Sequence, residues 1–491
     1  MPDGDTTSKG TCTLSEVALT GVEVIDDSNP TYDCPAVLVM EGETDKTLSS
    51  IKYKGAMTPA INEISPRFGT VVGGDVVTFT GINFVADHTK YSVVIDGINC
   101  PVSAATTTSV TCTTGKRPYL PPAALVITVD GVGLVSTRGL RYLYVNLWSA
   151  DTTWGGEFQP MEGETVYIPK GLNLLVDVDR TPKLKAVLVE GSLLFMPHTD
   201  PAHQRSFDAM YVFVRGGYME VGTKQFPYTS KLTLTMHGTA EDPYIPIYGN
   251  KVIGLRDGIL EMHGVERVPA WTSMEKTSMP GDTTITLNTA VDWKVGEQIA
   301  IASTSYKGAD ADKRFIAAID RTDASKPILT LDAPLEFKHF AARETFGASD
   351  FIEMRAEVAL LTRNVVYRGD PETTEANTYG ATMFFHSNGD DSLEARLWHI
   401  ECTGMGQAFK LGRYAIHFHM IGAVHKSYAE GVVVHTSFNR AFTIHGTRYL
   451  RLTNNVAYHV KGHTVFIEDA VETENVMTNN LIFRTERPWS C

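Results

Sequence analysis

The sequence predicts an all-β protein: an immunoglobulin-like sandwich followed by a right-handed parallel β-helix. Three observations predict it. From Pro59 onward apolar and polar residues alternate with period 2 (INEISPRFGTVVGGDVVTFTGINF, YSVVIDGINC, ALVITVDGVG), and glycine-containing turns fall about every 8–12 residues, as in a sandwich. From Trp148 onward short paired β runs with a glycine turn repeat like rungs (KAVLVEGSLLF, YVFVRGGYMEVG, VIGLRDGILEMHG), so that their inward Leu, Val and Ile stack into one core. Asn-Asn pairs recur at Asn454 and Asn479, 25 residues apart, which is about one coil of a parallel β-helix with asparagines stacked in its turns.

Taken in order, residues 1–57 hold short β runs (EVALTGVEVI, PAVLVME) broken by Asp, Asn, Pro and Gly, and read as an N-terminal β-rich remnant. Residues 58–145 form the sandwich. Residues 147–270 carry the first rungs. A compact β-strand insert follows at 271–348 (TTITLNTAVDWKVGEQIAIAS, PILTLDAPLEF), with ADADKRF as an exposed loop. From 349 to 491, beginning near Phe351, the rungs return: EVALLTRNVVYRG, ATMFFHSNGD, SLEARLWHIECTGMG, GVVVHTSFNRAFTIHG, NNVAYHVKGHTVFIEDA and NNLIFRTER.

The formal net charge of −14 argues against nucleic acid and anionic membrane surfaces, which need a basic face. An acidic polysaccharide remains open to a local basic groove or a bound metal. No apolar run reaches the length of a membrane span, so any membrane contact is expected only through segments outside this chain. The N-terminus MPDGDTTSKG has neither a basic n-region nor an apolar h-region, and the abrupt ends suggest a fragment of a larger protein. The cysteines are Cys12, Cys34, Cys100, Cys112, Cys402 and Cys491. Cys12 with Cys34 and Cys100 with Cys112 suit local disulfides in an oxidising compartment; buried free thiols are the alternative.

The stretch from Tyr414 to Ala470 concentrates histidine: His417, His419, His425, His435, His445, His459 and His463, with His399 just upstream. Laying NVAYHVKGHTVFIED beneath VVVHTSFNRAFTIHG puts His459 under His435, His463 under Asn439 and Asp469 under His445. One coil earlier, His417 falls over His445. His419 lies two residues from His417, and a strand puts both on one face. His417, His419, His445 and Asp469 therefore form a candidate column for a divalent metal, zinc or calcium. With His463 the set equally suits general acid–base work on a sugar. Strict alternation sends Glu468 to the opposite face. His399, His425 and His459 read as scaffold, and His88, His198, His203, His237, His263, His339 and His386 show no constellation. In the first rungs Asp177, Asp179 and Arg180 make a charged patch, a solvated strand end or a polysaccharide contact, since Arg suits sugar carboxylates.

Several of these words resemble known families. The opening PAINEISPRFG, then GGDVVTFTG and the cysteine-flanked hairpin, resemble the IPT/TIG family, whose extracellular members serve as spacers or binding modules. The rungs from Trp148 to about residue 270 resemble the G8 domain. GRYAIHFHMIG, VVVHTSFNRAFTIHG and GHTVFIEDAVET resemble the β-helix of the group that holds the fibrocystins, a hyaluronan-binding cell-migration protein and a transmembrane cell-surface hyaluronidase. The order of the three points to the fibrocystin-L-like branch. Two departures stand out: the family's Glu-Asp-Gly ends in Ala470 here, and His459 stands where relatives often carry Asn.

The resemblance implies an extracellular or cell-surface protein, with hyaluronan among its polysaccharide partners. Two functions follow. The first is a binding or scaffolding module of a surface protein with a metal or glycan site on the β-helix. The second is an endo-acting, hyaluronidase-type depolymerising enzyme working through His417, His419, His445, His463 and Asp469.

Overall fold

The computed structural model describes residues 58–118, 124–347, 349–389 and 391–487, together with short backbone strands between Thr31 and Lys54. The chain forms two compact units, Met1–Asn146 and Leu147–Cys491. Among the described residues, no helix is long and apolar enough to cross a membrane.

The first unit is the expected sandwich. One antiparallel sheet orders Val102–Ala105, Ser109–Thr113, Val76–Ile82 and Ala60–Ser65, and the other orders Gly133–Leu134, Val126–Val129, Tyr91–Ile95 and Ile98–Asn99. Period-2 alternation sends Ile61, Val77, Phe79, Val93, Val110 and Ile127 into the core, each no more than 1% exposed. Cys100 and Cys112 form a disulfide. Cys402 is a buried free thiol; the expected Cys12–Cys34 pairing lies outside the described residues.

The second unit is a right-handed parallel β-helix with three walls. One coil reads Lys231–Met236, Val252–Arg256, Ile259–His263. After an insertion the next reads Val365–Gly369, Thr382–His386, Glu394–Trp398. Then come Glu401–Met405, Ile416–Ala423, Tyr428–Glu430, and Val433–Ser437, Phe442–Arg448, Arg451–Thr453. Val456–Lys461, Val465–Ile467 and Val476–Thr478 make a further coil. The second wall continues to Leu481–Glu486. Counting Lys231–Met236 as the start of the second wall, the second and third walls are one sheet that forks at the long strand Gln204–Arg215, whose first half pairs Lys231–Met236 and second half Val252–Arg256.

Parallel in-register pairing fixes columns of like side chains. Leu234, Tyr367, Cys402, Val434 and Ala457 stack on the second wall. Val221, Met262, Leu397, Ala429 and Leu452 stack on the first. All belong to one buried core. Asparagines satisfy the turns, as the 25-residue repeat suggests: Asn455 donates to Ala429 O and accepts from Val432 N, and Asn480 repeats the pattern one coil on.

The insert is an antiparallel sheet with its own core around Met274, Trp293, Ile301 and Leu329. It extends further than the sequence suggests. Glu357–Leu360, expected as a rung, pairs antiparallel with Trp271–Ser273 and Gln298–Ile301, so the coils resume at Val365. The confusion has a physical source: Ala359 and Leu361 face the second wall while Val358 and Leu360 face the insert core, so this strand is apolar on both faces like a rung. Asp312, expected in an exposed loop, begins a strand, is 1% exposed, and accepts from His339 Nε2 at 2.9 Å. Ala300 and Ala359 of the insert pack against Val433, Val456 and Tyr458, so the outer face of the second wall is covered.

Two predictions follow from buried polar groups. Lys251 is fully buried and donates to Asp370 Oδ2 at 2.7 Å and to Thr374 Oγ1 at 2.8 Å. Lys251→Met strands the Asp370 charge and is expected to cost about 3–5 kcal/mol in thermal or urea unfolding. His263 and His399 are buried rings, and burial above all pulls each down to about 3. In the unfolded chain they titrate near 6.5. The unfolded state thus binds more protons between the two values, so stability is full above about pH 6.5 and is lost as pH falls toward 3. Each ring should remove about 1.4 kcal/mol per pH unit across that window, opposed in its upper part by Glu261, 3.2 Å from His263, whose carboxyl burial pushes up to about 7. Urea midpoints compared at neutral pH and near pH 5 check this, and equal midpoints would refute it.

Candidate metal centre on the third wall

The third wall supplies the site. Along Ile416–Ala423 the inward residues are Ile416 and Phe418, both in the core. Alternation therefore turns His417 and His419 outward together, as the sequence indicates. On the next coil Phe442 and Ile444 point inward and Thr443 and His445 outward; on the one after, Val465 pairs Phe442 and Phe466 pairs Thr443.

The register differs from the sequence overlay in two places. His419, and not His417, pairs with His445, while His417 pairs with Thr443. The overlay of His417 on His445 is two residues too long: the coil from His417 to Thr443 takes 26 residues. Met420 adopts φ 52°, and the pairing slips between His419 and Gly422. On the next coil Ile444 pairs with Ile467, which makes Glu468 the outward residue below His445 in place of Asp469. The same one-residue slip puts Tyr458, and not His459, beside His435.

The three imidazoles nonetheless converge. One ring nitrogen each from His417, His419 and His445 lies within 4.8 Å of the others. His419 Nδ1 and His445 Nδ1 are 3.0 Å apart, and the His417 and His445 rings are parallel to within 11° at 6.1 Å. Hydrogen bonds set the rings. His417 Nδ1 donates to the Gly412 carbonyl at 3.0 Å, which leaves its Nε2 lone pair facing inward. His445 Nε2 donates to Asp469 Oδ2 at 2.8 Å, which leaves its Nδ1 as the acceptor facing the cluster, where His419 Nδ1 donates to it at 3.0 Å.

Glu468 enters the same space. Its Oε2 lies 3.8 Å from His417 Nε2 and 3.5 Å from His445 Nδ1. His417 Nε2 and Glu468 Oε2 are both buried without a hydrogen-bond partner. Aromatic rings wall the site: Phe384 lies 4.9 Å from His417 and 5.0 Å from His419, and Tyr414 lies 4.9 Å from His417. Arg440 sits over Phe466 at 3.8 Å and over Tyr414 at 4.7 Å, and Arg413 over Phe384 at 5.4 Å. Burial pushes His417 down to about 3, with neighbouring His419 and His445 adding to the effect. Burial likewise pushes His419 down to about 4, with His445 and His386 contributing. Both are neutral at pH 7, so their lone pairs are free to bind a cation.

The remaining predicted residues fall elsewhere. His463 is exposed and lies flat on Phe466, 10° from parallel, outside the gathered group. Asp469 touches the cluster only through His445. Asp177, Asp179 and Arg180 follow the first-wall strand Asn173–Val176. Asp177 accepts from Ser149 N, Asp179 from His203 Nε2, and Arg180 donates to Ser206. Glu468, which strict alternation sends to the opposite face, is the carboxylate that enters the cluster; the strand Val465–Ile467 ends just before it, and the Ile444–Ile467 pairing sets it below His445.

Comparison with known proteins agrees with this architecture. The IPT/TIG domain model matches residues 59–144, the G8 domain model residues 153–275 and the CEMIP beta-helix model residues 378–490, which contain the whole cluster. Fibrocystin-L from Mus musculus is 31% identical over 484 residues, 91% of this chain. The chain is fibrocystin-L-like. The human fibrocystin-L matches to the same extent, and this fibrocystin-L-like chain spans 11% of the length of each. Protein rliB of Dictyostelium discoideum is 29% identical over 342 residues, covering 68% of this chain and 28% of its own.

The turn after Glu468 yields a prediction. Ala470, where the family's motif has glycine, is held at φ 58°, a left-handed conformation that costs a residue bearing Cβ. Ala470→Gly is expected to raise stability by roughly 0.5–1 kcal/mol, read as a higher urea midpoint.

Proposed function

We propose that this chain is an extracellular or cell-surface ectodomain module of fibrocystin-L type, whose third wall holds a divalent transition metal and presents it to an acidic polysaccharide. One observation carries the metal: His417 Nε2 and Glu468 Oε2 are buried, unpartnered and turned toward each other, with the lone pair of His445 Nδ1 beside them. A buried acceptor left unpaired costs about 1–3 kcal/mol. A cation among these acceptors satisfies all of them at once.

The donor set selects the metal. Three imidazoles and a carboxylate suit zinc and its first-row neighbours. Calcium prefers oxygen ligands, so of the two metals the sequence suggested, zinc fits better. His417, His419, His445 and Glu468 would hold it. Asp469 moves from expected ligand to the carboxylate that orients His445, the usual partner of a metal-bound imidazole. When bound, the ion supplies a Lewis-acid anchor for sugar oxygens. Arg413 and Arg440, flanking the cluster, supply the charge that an acidic glycan needs.

The depolymerising reading draws on one feature, the His445–Asp469 pair, since a carboxylate-oriented imidazole is the arrangement of a general base. A single set of measurements separates the readings. Zinc titrated into the chain should bind once, and His419→Ala or Glu468→Gln should weaken it at least tenfold, with calcium showing no competition. High-molecular-mass hyaluronan should bind the zinc-loaded chain, be released by a chelator, and keep its length. Shortening of the polymer would transfer the conclusion to the enzyme; no zinc binding by the folded chain would remove the metal centre.

A further inference from the structure

The two carboxylates of the site sit on a turn with no ladder of its own. The strand Val465–Ile467 ends immediately before Glu468, and Val476–Thr478 begins after the turn. The ladder reaches the turn through one bond, Glu468 N–H to Ile444 O at 3.1 Å. Beyond that bond, Glu468 and Asp469 need something else to hold their direction.

Glu472 supplies it. Its Oε1 accepts from Gly446 N at 2.7 Å and from Asp469 N at 3.3 Å, and its Oε2 accepts from Val471 N at 3.0 Å. Gly446 directly follows His445, has φ 54°, and lies where a Cβ would come within 2.7 Å of Met420 Sδ. One side chain thus ties the backbone beside His445 to the backbone of Asp469, across two coils. Both ends of the tie adjoin groups of the site: His445 on one coil, and Glu468 with Asp469 on the other.

We infer that Glu472 is the positioning residue of this metal centre: it fixes the separation between His445 and the Glu468–Asp469 turn, and so aims one ligand and the carboxylate that orients another. The inference rests on the metal reading above. A loop clamp with no bearing on the site would leave ligand geometry unchanged when broken, and that difference can be measured.

The test uses Co2+ as a spectroscopic probe in the full chain. The wild-type protein should bind cobalt with a visible d–d band. Glu472→Ala should weaken binding about 10–100-fold, as loss of an outer carboxylate does, and shift the band. Glu472→Gln, whose amide oxygen can still accept from Gly446, should recover most of both. In the metal-free protein, hydrogen exchange from Gly446 to Val471 should quicken in Glu472→Ala while Val433–Ser437 stays unchanged. Cobalt affinity and band both equal to wild type in Glu472→Ala would overturn the positioning role while leaving the metal centre standing. A wild-type chain that takes no cobalt would instead overturn the metal centre, and the positioning role with it.

Discussion

Parallel strand pairing in register is the constraint on which the second unit depends. Each backbone N–H of one coil meets a carbonyl of the next, so a side chain has little freedom except to face inward or outward. Once Phe442 and Ile444 are committed to the core, Thr443 and His445 must lie outside it. The same commitment by Ile416 and Phe418 places His417 and His419 on that outer face. Burying an imidazole on the outside of a wall then requires something to cover it. Phe384 and Tyr414 do so, and the result is a pair of neutral rings beside an unpaired carboxylate oxygen.

The three walls are used differently. The second carries the antiparallel insert on its outer face, with alanines meeting Val433 and Val456. The third carries the histidine cluster on its outer face, next to an apolar group of Tyr211, Tyr248, Val252 and Phe384, and is bordered by guanidinium groups stacked on aromatic rings. Each guanidinium is also held by one hydrogen bond, Arg413 Nη1 to Ile247 O at 2.7 Å and Arg440 Nη1 to the Tyr414 hydroxyl, so stacking and hydrogen bonding together fix its position. On the proposed reading, a metal beside these guanidiniums would give an anionic chain a surface laid along the coils. The acidic net charge of the whole chain does not oppose this, because the Debye length at physiological salt is only about 8 Å.

Legibility in the sequence tracked how local each signal was. Alternation around Phe79 or Ile127 depends on neighbouring residues and read correctly, as did the turn asparagines. Disulfide partners Cys100 and Cys112 flank one hairpin, and hairpin geometry nearly dictates them. Register between coils is different. It depends on how many residues each turn absorbs, and that number changes from coil to coil: His419 pairs with His445, 26 residues on, whereas Ile444 pairs with Ile467, 23 residues on. That is why His417 was set over His445, and Asp469 in the place of Glu468. The strand Glu357–Leu360 failed for another reason: a strand buried on both faces looks alike in an insert and in a coil.

By itself the sequence determined the all-β class, the sandwich before the β-helix, and the segment that would carry three convergent histidines. These follow from periodicity and composition, which survive small errors in alignment. Tertiary structure decided which carboxylate faces the rings, which one orients His445, and that Glu472 clamps the turn between them. Those outcomes depend on distances of a few ångströms between coils about 25 residues apart, and a one-residue change in register exchanges one face for the other.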